Sequence, residues 1–403
     1  MLGRLSVTPT DDDLTAPPAT SWVVEADRRV RYDVTVSRDI FALDNHSLMQ
    51  AGTTASATTR RRFVVIDQTV HRLYGDLFDK YLRHHGIMAQ LCVLDATEQE
   101  KSMESVAHIV RGLDEFGIDR RREPIIGIGG GVLLDIVGVA SSLYRRHTPY
   151  VRVPTTLIGL VDAGVGVKTG VNFNGHKNRL GTYEAPAATL LDRNFLTTLD
   201  RRHLSNGLAE ILKIALIKDR ALFDQLETYG RVLLDERLQG TTPVNEIAAR
   251  EVLRRAVHGM LEELQPNLWE TKLERLVDYG HSFSPAIEMA ALPDLLHGEA
   301  VTIDMALTTL IAHGRGLVGD TDRDRVLAVM NLLELPTHHR GCTPELLAKA
   351  LADTTRHRDG LQRLPLPVGI GDAVFVNDVT DDELRRAADA IAVAAGATTG
   401  SPR

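Results

Sequence analysis

The chain has 403 residues, 43% of them apolar, and carries a net charge of −8. This length is too great for one ordinary core, so two domains are expected, and the negative balance excludes a general affinity for nucleic acid or anionic lipid. Two cysteines, Cys92 and Cys342, exclude a disulfide framework and a Cys-x-x-Cys metal site and fit a reducing, cytoplasmic setting.

In chain order, residues 1–20 are rich in Thr, Asp and Pro and read as a disordered tail, with neither signal peptide nor membrane span. SWVVEADRRVRYDVTV, from residue 21, alternates in the manner of a hairpin, and AGTTASATT, from residue 51, reads as a surface loop. Strand and helix patterns then alternate. RRFVVID, MAQLCVLDA, PIIGIGG and YVRVPTT are strands, separated by helices beginning near residues 70, 102 and 132. Such alternation predicts a parallel, Rossmann-like sheet with helices on its faces. Beyond about residue 193 helical spacing dominates, over residues 204–229, 243–264, 297–314 and 321–335. The expected organisation is an α/β domain over 21–192 and an all-α domain over 193–403.

IIGIGGGVLLD ends a strand on Gly129, Gly130 and Gly131 and enters a helix. Glycines let the backbone approach a ligand closely, and a helix start offers free N–H groups to a pyrophosphate. A tight strand–helix turn without a ligand fits equally well, since Val132 takes the last glycine position of G-x-G-x-x-G. Asp135 either faces that ligand or caps a helix turn. Asp67, at a strand end, is a ribose acceptor or a turn residue. Residues 160–186 place Asp162, Lys168, Lys177, Asn178 and Arg179 in a glycine-rich framework able to fold back on itself, which favours a pocket for a phosphate monoester over a solvated charge run.

Glu210 and Lys213 lie three apart on an otherwise apolar helix, where an ion pair is the simpler reading of the two alone. Joined by His281 and His297, Glu210 would complete one oxygen and two nitrogen ligands, a catalytic zinc set with an open position. Ser284 and Pro285 read as an N-cap and a first helical proline. They place His281 in the turn before one helix and His297 near the start of the next.

Seven segments, GGGVLLD, VPTTL, VDAGVGVKTGVN, GHKNRLGTY, GLAEILK, YGHSF and HGEAV, occur in the order found in dehydroquinate-synthase-like sugar phosphate cyclases. The resemblance, which covers about residues 60–375, implies an NAD-binding α/β domain, a helical metal domain, an active site between them, and a homodimer. It implies that Glu210, His281 and His297 bind zinc or cobalt. It also implies a dinucleotide site of Asp67, Glu98, Lys101, Gly129, Gly130, Gly131, Asp135, Thr155, Thr156, Lys177, Phe195 and Thr198. Asp162, Lys168, Asn178 and Lys213 match the substrate site. Arg145 or Arg146 matches a basic residue that reaches the neighbouring subunit's substrate phosphate, and His357 falls where the family has a phosphate-contacting lysine.

The departures bear on substrate. Where dehydroquinate synthases carry NFGHTxGHxxE, this chain has DYGHSFSPAIE, with Asp278 for the asparagine and Pro285 for the second histidine. A carboxylate is a poor neighbour for a substrate carboxylate. These forms resemble family members that cyclise sedoheptulose 7-phosphate to 2-epi-5-epi-valiolone. The implied route is transient oxidation by NAD, loss of phosphate from the acidified carbon, reduction, and intramolecular aldol closure. Cyclases giving 2-epi-valiolone or desmethyl-4-deoxygadusol are alternatives, as is a metal- and NAD-dependent polyol dehydrogenase that would release NADH.

Overall fold

The structure is a computed structural model and describes residues 6–7, 22–52 and 60–399. Its centre is a six-stranded sheet, parallel throughout, in the spatial order Asp33–Ser37, Ala188–Asp192, Tyr150–Pro154, Ile125–Gly129, Arg61–Asp67, Met88–Leu94. The inner strands are buried on both faces, which explains their unbroken apolar runs. Side chains alternate between two cores. Val64, Ile66, Ile126 and Ile128 pack on one face with Phe78 and Tyr81. Phe63, Val65 and Ile125 pack on the other with Ile109, Leu113 and Ile136.

The chain leaves Arg61–Asp67 for the edge strand Met88–Leu94, then returns to Ile125–Gly129 on the opposite side. Strand order therefore reverses between the carboxyl ends of two neighbours, at Asp67 and Gly129, the position where doubly wound sheets bind ligands. The helix Gln68–His84 is capped by Asp67, and the helix Met103–Phe116 by Ser102, with Gly117 closing it at a φ of 64°.

Helices dominate after Asp192. Arg201–Ile217 is buried from Leu204 onward and forms the axis of the largest apolar cluster, against Pro243–Leu264 and His297–Gly314. The pattern over 204–229 is two helices, because Asp219 stops one and caps the next, Arg220–Asp235, by accepting from the Leu222 N–H. Pro243–Leu264 and His297–Gly314 match their expected spans.

Four expectations change. Residues 21–36 do not form a hairpin: Asp33–Ser37 becomes an edge strand beside Ala188–Asp192, and Trp22–Val23 pairs with Ser6–Val7. Asp192 fixes that edge by accepting from the Ile40 N–H at 2.8 Å. The lysine-rich segment contains a true hairpin, Lys168–Phe173 with His176–Tyr183, turned by Asn174 and Gly175 at φ of 49° and 74°. The Asn-Gly pair is the sequence signal for it. Leu364–Pro367 and Ala373–Val376 add another hairpin in the helical half. Lastly, Phe283 rather than Ser284 takes the N-cap position of Ser284–Ala290. The rest of residues 1–21, read as a tail, and residues 53–59 of the expected surface loop lie outside the described residues.

Asp304 supplies the missing cap. It is fully buried, and its Oδ2 accepts the N–H groups of Phe283 at 2.6 Å and Ser284 at 3.0 Å. Burial pushes its carboxyl up to about 6, with those amides opposing. The folded state thus binds this proton more tightly than the unfolded chain. Its contribution to stability is complete below about pH 4 and lost as pH rises through about 6. Urea unfolding of wild type and Asp304→Asn at pH 4 and 7.5 should show the difference moving in favour of the variant by on the order of 2–3 kcal/mol. A difference independent of pH rejects this account.

Candidate active site

Three elements of the helical half bring Glu210, His281 and His297 together. Glu210 lies on Arg201–Ile217, His281 in the turn before Ser284–Ala290, and His297 opens His297–Gly314. One ligand atom from each falls within a sphere of contacts no wider than 4.8 Å. His297 Nε2 is 3.5 Å and His281 Nε2 3.8 Å from Glu210 Oε1. The convergence depends on close helix packing. A Cβ on Gly298 would lie 2.0 Å from the carbonyl oxygen of Asn206, and the Asn206 side chain accepts the Gly298 N–H at 2.6 Å. Glycine beside His297 therefore sets the ring's distance from Glu210, one turn beyond Asn206.

The electrostatics suit a cation. Glu210 is 1% exposed, and neither of its oxygens accepts a directed hydrogen bond from a described residue, although Lys213 Nζ lies 2.5 Å from Oε2. Burial alone would raise its carboxyl. Lys213 and the two imidazoles outweigh that and hold it well below the usual range. Burial and Lys213 push His281 down to about 3, so its Nε2 presents a lone pair while Nδ1 meets the Tyr279 carbonyl at 3.1 Å. Burial and the Lys177 charge lower His297, but the carboxylates of Glu210 and Glu288 on its two sides raise it to about 9. Two oxygens without directed partners and two converging imidazoles fit a divalent cation.

Around this group the structure gathers most of the expected substrate residues. The charges of Lys213, Glu210, His297 and Lys168 all act on Asp162, whose carboxyl is raised chiefly by burial. Lys213 is buried, yet Glu210 and Asp162 keep its ammonium charged. Lys168 meets Glu270 at 2.6 Å; Glu270 also pairs with Arg275. Arg275 and Arg358 both reach Asp278, at 2.6 and 3.2 Å. Asp278 is therefore no free carboxylate: two guanidinium groups hold it. His357 is exposed at the end of Pro344–His357, while its neighbour Arg358 turns inward.

The expected dinucleotide residues form a second group at the strand reversal. Gly130 caps Gly131–Leu143 without a side chain, so the helix's first amides stay open. A Cβ on Gly129 would stand 3.2 Å from Cβ of Asp67, one on Gly130 3.1 Å from Thr156, and one on Gly131 3.2 Å from Ala163. The bare backbone thus forms a shallow cradle. Thr155 N–H donates to the Gly129 carbonyl, and Thr156 Oγ1 accepts from Gly159. Lys101 joins Asp135 and Asn178, at 2.6 Å each, and Glu98 is tied in through Asn172. Thr198 meets Tyr74, whereas the Phe195 ring packs on Phe41 and Tyr74 in the core, leaving its backbone for any ligand. Arg145 and Arg146 lie apart, at left-handed φ of 51° and 64°, lining a cavity of about 600 Å³ with Asp119, Arg120 and Arg121.

Glu270, Arg275 and Glu288 were not among the expected site residues, and within the basic run 356–358 the phosphate contact was assigned to His357 rather than Arg358. Glu288 closes the quoted segment DYGHSFSPAIE, and Arg358 adjoins His357, so both were within reach. Glu270 and Arg275 carry no local signal.

Comparison with known proteins agrees with this architecture. Residues 91–206 match the 3-dehydroquinate synthase N-terminal family and residues 207–357 its C-terminal counterpart. A 2-epi-5-epi-valiolone synthase of Actinomyces sp. is 60% identical over 93% of this chain and 98% of its own length. A demethyl-4-deoxygadusol synthase of Trichormus variabilis is 38% identical over 91% and 89%. The solved structure of 2-epi-5-epi-valiolone synthase from Streptomyces hygroscopicus subsp. jinggangensis 5008, with NAD+ and Zn2+ bound, superposes with a TM-score of 0.87 at 58% identity, covering 93% of this chain and all of that one. These matches make the chain an enzyme of the sugar phosphate cyclase class. Within that class the chain belongs to the dehydroquinate synthase family, with the greatest of these likenesses to its valiolone-forming members.

The close contact at Gly298 has a matched counterpart. Gly314, on the same helix, has no atom within 4 Å of where a Cβ would stand. Gly298→Ala should lose about 3 kcal/mol in urea unfolding, and Gly314→Ala should lose nothing. Equal effects refute the helix contact as the determinant.

Proposed function

We propose that this enzyme cyclises sedoheptulose 7-phosphate to 2-epi-5-epi-valiolone with release of inorganic phosphate, through transient oxidation, elimination, reduction and intramolecular aldol closure. The observation that carries the reading is the Glu210–His281–His297 group with Lys213 and Asp162 beside it, in a chain 60% identical to a synthase of that product. The identity to the deoxygadusol-forming relative is lower, at 38%. We assign residues 21–192 to a dinucleotide-binding part and 193–403 to a metal- and substrate-binding part.

Glu210, His281 and His297 would hold a divalent zinc or cobalt ion, and the cradle at Gly129–Gly131, with Asp67, Glu98, Lys101, Asp135, Thr155, Thr156, Lys177 and the segment at Phe195 and Thr198, would hold NAD. When bound, these groups supply a reversible hydride acceptor and a Lewis acid that lowers the pKa of a hydroxyl. The protein's own part is positioning and proton handling. A hydroxyl next to an unactivated carbon gives no route to eliminate phosphate, so the sugar must lie with one hydroxyl at the metal group and its phosphate away from it. Lys213 Nζ, charged and buried, orients that hydroxyl region by hydrogen bonding. Asp162, with its carboxyl raised by burial, can carry a proton there. Lys168 and Asn178, on the hairpin, and Arg358, which turns inward where the exposed His357 does not, anchor the phosphate. The pairing of Lys168 with Glu270 means that phosphate must compete with a carboxylate for that ammonium. Arg145 or Arg146 would serve the phosphate site of a second subunit in a homodimer. No described helix is long and apolar enough to cross a membrane; a cytoplasmic enzyme is the setting we infer.

Incubating the protein with sedoheptulose 7-phosphate, NAD+ and Co2+ or Zn2+ should release one phosphate per sugar with no net NADH, and NMR should identify 2-epi-5-epi-valiolone. A different cyclitol, or NADH accumulating with turnover, rejects the assignment. Glu210→Gln should lose both metal and turnover; full activity with metal retained refutes the ligand set.

A further inference from the structure

Glu288 is 4% exposed and sits where the two halves of the molecule meet. It lies on Ser284–Ala290, seven residues after His281. Its Oε2 is 2.9 Å from His297 Nδ1, and its Oε1 accepts a hydrogen bond from Lys177 Nζ at 2.5 Å. Lys177 lies on the hairpin strand His176–Tyr183, next to Asn178, whose side chain meets Lys101 and through it Asp135 of the glycine-turn helix. On the other side, His297 turns Nε2 toward Glu210. One carboxylate therefore stands between the metal-ligand group and the expected dinucleotide residues, with one oxygen for each.

We propose that Glu288 is a positioning residue that couples the two cofactor sites, so that metal and dinucleotide each raise the protein's affinity for the other. This rests on the cofactor reading given above. A carboxylate on Nδ1 keeps a proton on that nitrogen, so that the Nε2 proton is the one a cation displaces, and it holds the ring's orientation. Lys177 competes for the same carboxylate. An anionic phosphate or a ribose oxygen that draws on the Lys177 ammonium leaves more of Glu288's charge for His297 and strengthens that ligand. A cation at Nε2 draws Glu288 toward the ring and releases Lys177 toward the dinucleotide. Thermodynamic linkage requires the two effects to be equal in size. A glutamine in its place offers one acceptor oxygen where the site uses two.

The test uses the full chain, Co2+ and NAD+. Co2+ affinity is measured by chelator competition with and without saturating NAD+, NAD+ affinity by calorimetry with and without Co2+, and the ligand field by the visible Co2+ bands. In wild type each ligand should tighten the other by about fivefold or more. Glu288→Gln should weaken Co2+ by about 10- to 100-fold, shift the Co2+ bands, and bring the coupling factor near one. Lys177→Met removes the competitor for Glu288, so without NAD+ it should bind Co2+ about fivefold or more tighter than wild type does, and saturating NAD+ should add nothing further; it decides the matter if Glu288→Gln fails to fold. Wild-type coupling of one, or coupling preserved in the folded variants, overturns the inference. A wild type that binds neither Co2+ nor NAD+ overturns the cofactor reading itself, and this inference with it.

Discussion

A carboxylate removed from water must be matched by positive charge, and Glu210 is where this constraint is most severe. It sits on a helix buried on all sides, with Lys213 on one flank and two imidazoles on the other. The ammonium alone leaves both oxygens without directed bonds. A buried ion pair of this kind adds little stability by itself. The arrangement makes sense as a site that reserves its anion for a ligand. The packing around it serves that end: Gly298 admits one helix against another, Asp304 secures the turn bearing His281, and Glu299 ties the start of the His297 helix to Arg202.

The sheet contributes a complementary feature. Strand order reverses between Asp67 and Gly129, and the glycines after it leave backbone where side chains would stand. The hairpin Lys168–Tyr183 then reaches from the α/β half toward the helical half. Two ion pairs to that half, Lys168 with Glu270 and Lys177 with Glu288, together with the Tyr183–Trp269 ring contact, tie the hairpin to it. Basic residues that look like a free phosphate pocket in one dimension are thus already partnered by carboxylates from the other half. An anion entering here would have to exchange partners with these carboxylates, which would favour a ligand with more than one negative oxygen.

Much of the fold was legible in the sequence for a physical reason. Strands buried on both faces need continuous apolar runs, and helices on a sheet need an apolar stripe, so RRFVVID and PIIGIGG stood out, as did the helices at 243–264 and 297–314. The failures share another reason. Asp33–Ser37 takes a partner more than 150 residues away, at Ala188–Asp192, and alternation alone cannot tell that pairing from a local hairpin. The Asn174–Gly175 turn was readable but was submerged in glycines. Ser284 looked like a cap because its type and the following proline fit, but Asp304 on a distant helix satisfies the amides instead.

Residue order was enough for the inventory and the chemistry: which carboxylate and imidazoles were available, that a glycine turn followed a strand, and that seven motifs ran in a known order. This holds because residue type and local spacing are one-dimensional properties. Tertiary structure alone decided partnership. That Asp278 is held by Arg275 and Arg358, that Arg358 rather than His357 points inward, and that Glu288 stands between His297 and Lys177 all follow from helices crossing at distances set by packing. Charge compensation in a buried site acts through space, and chain order does not encode which opposite charge is nearest.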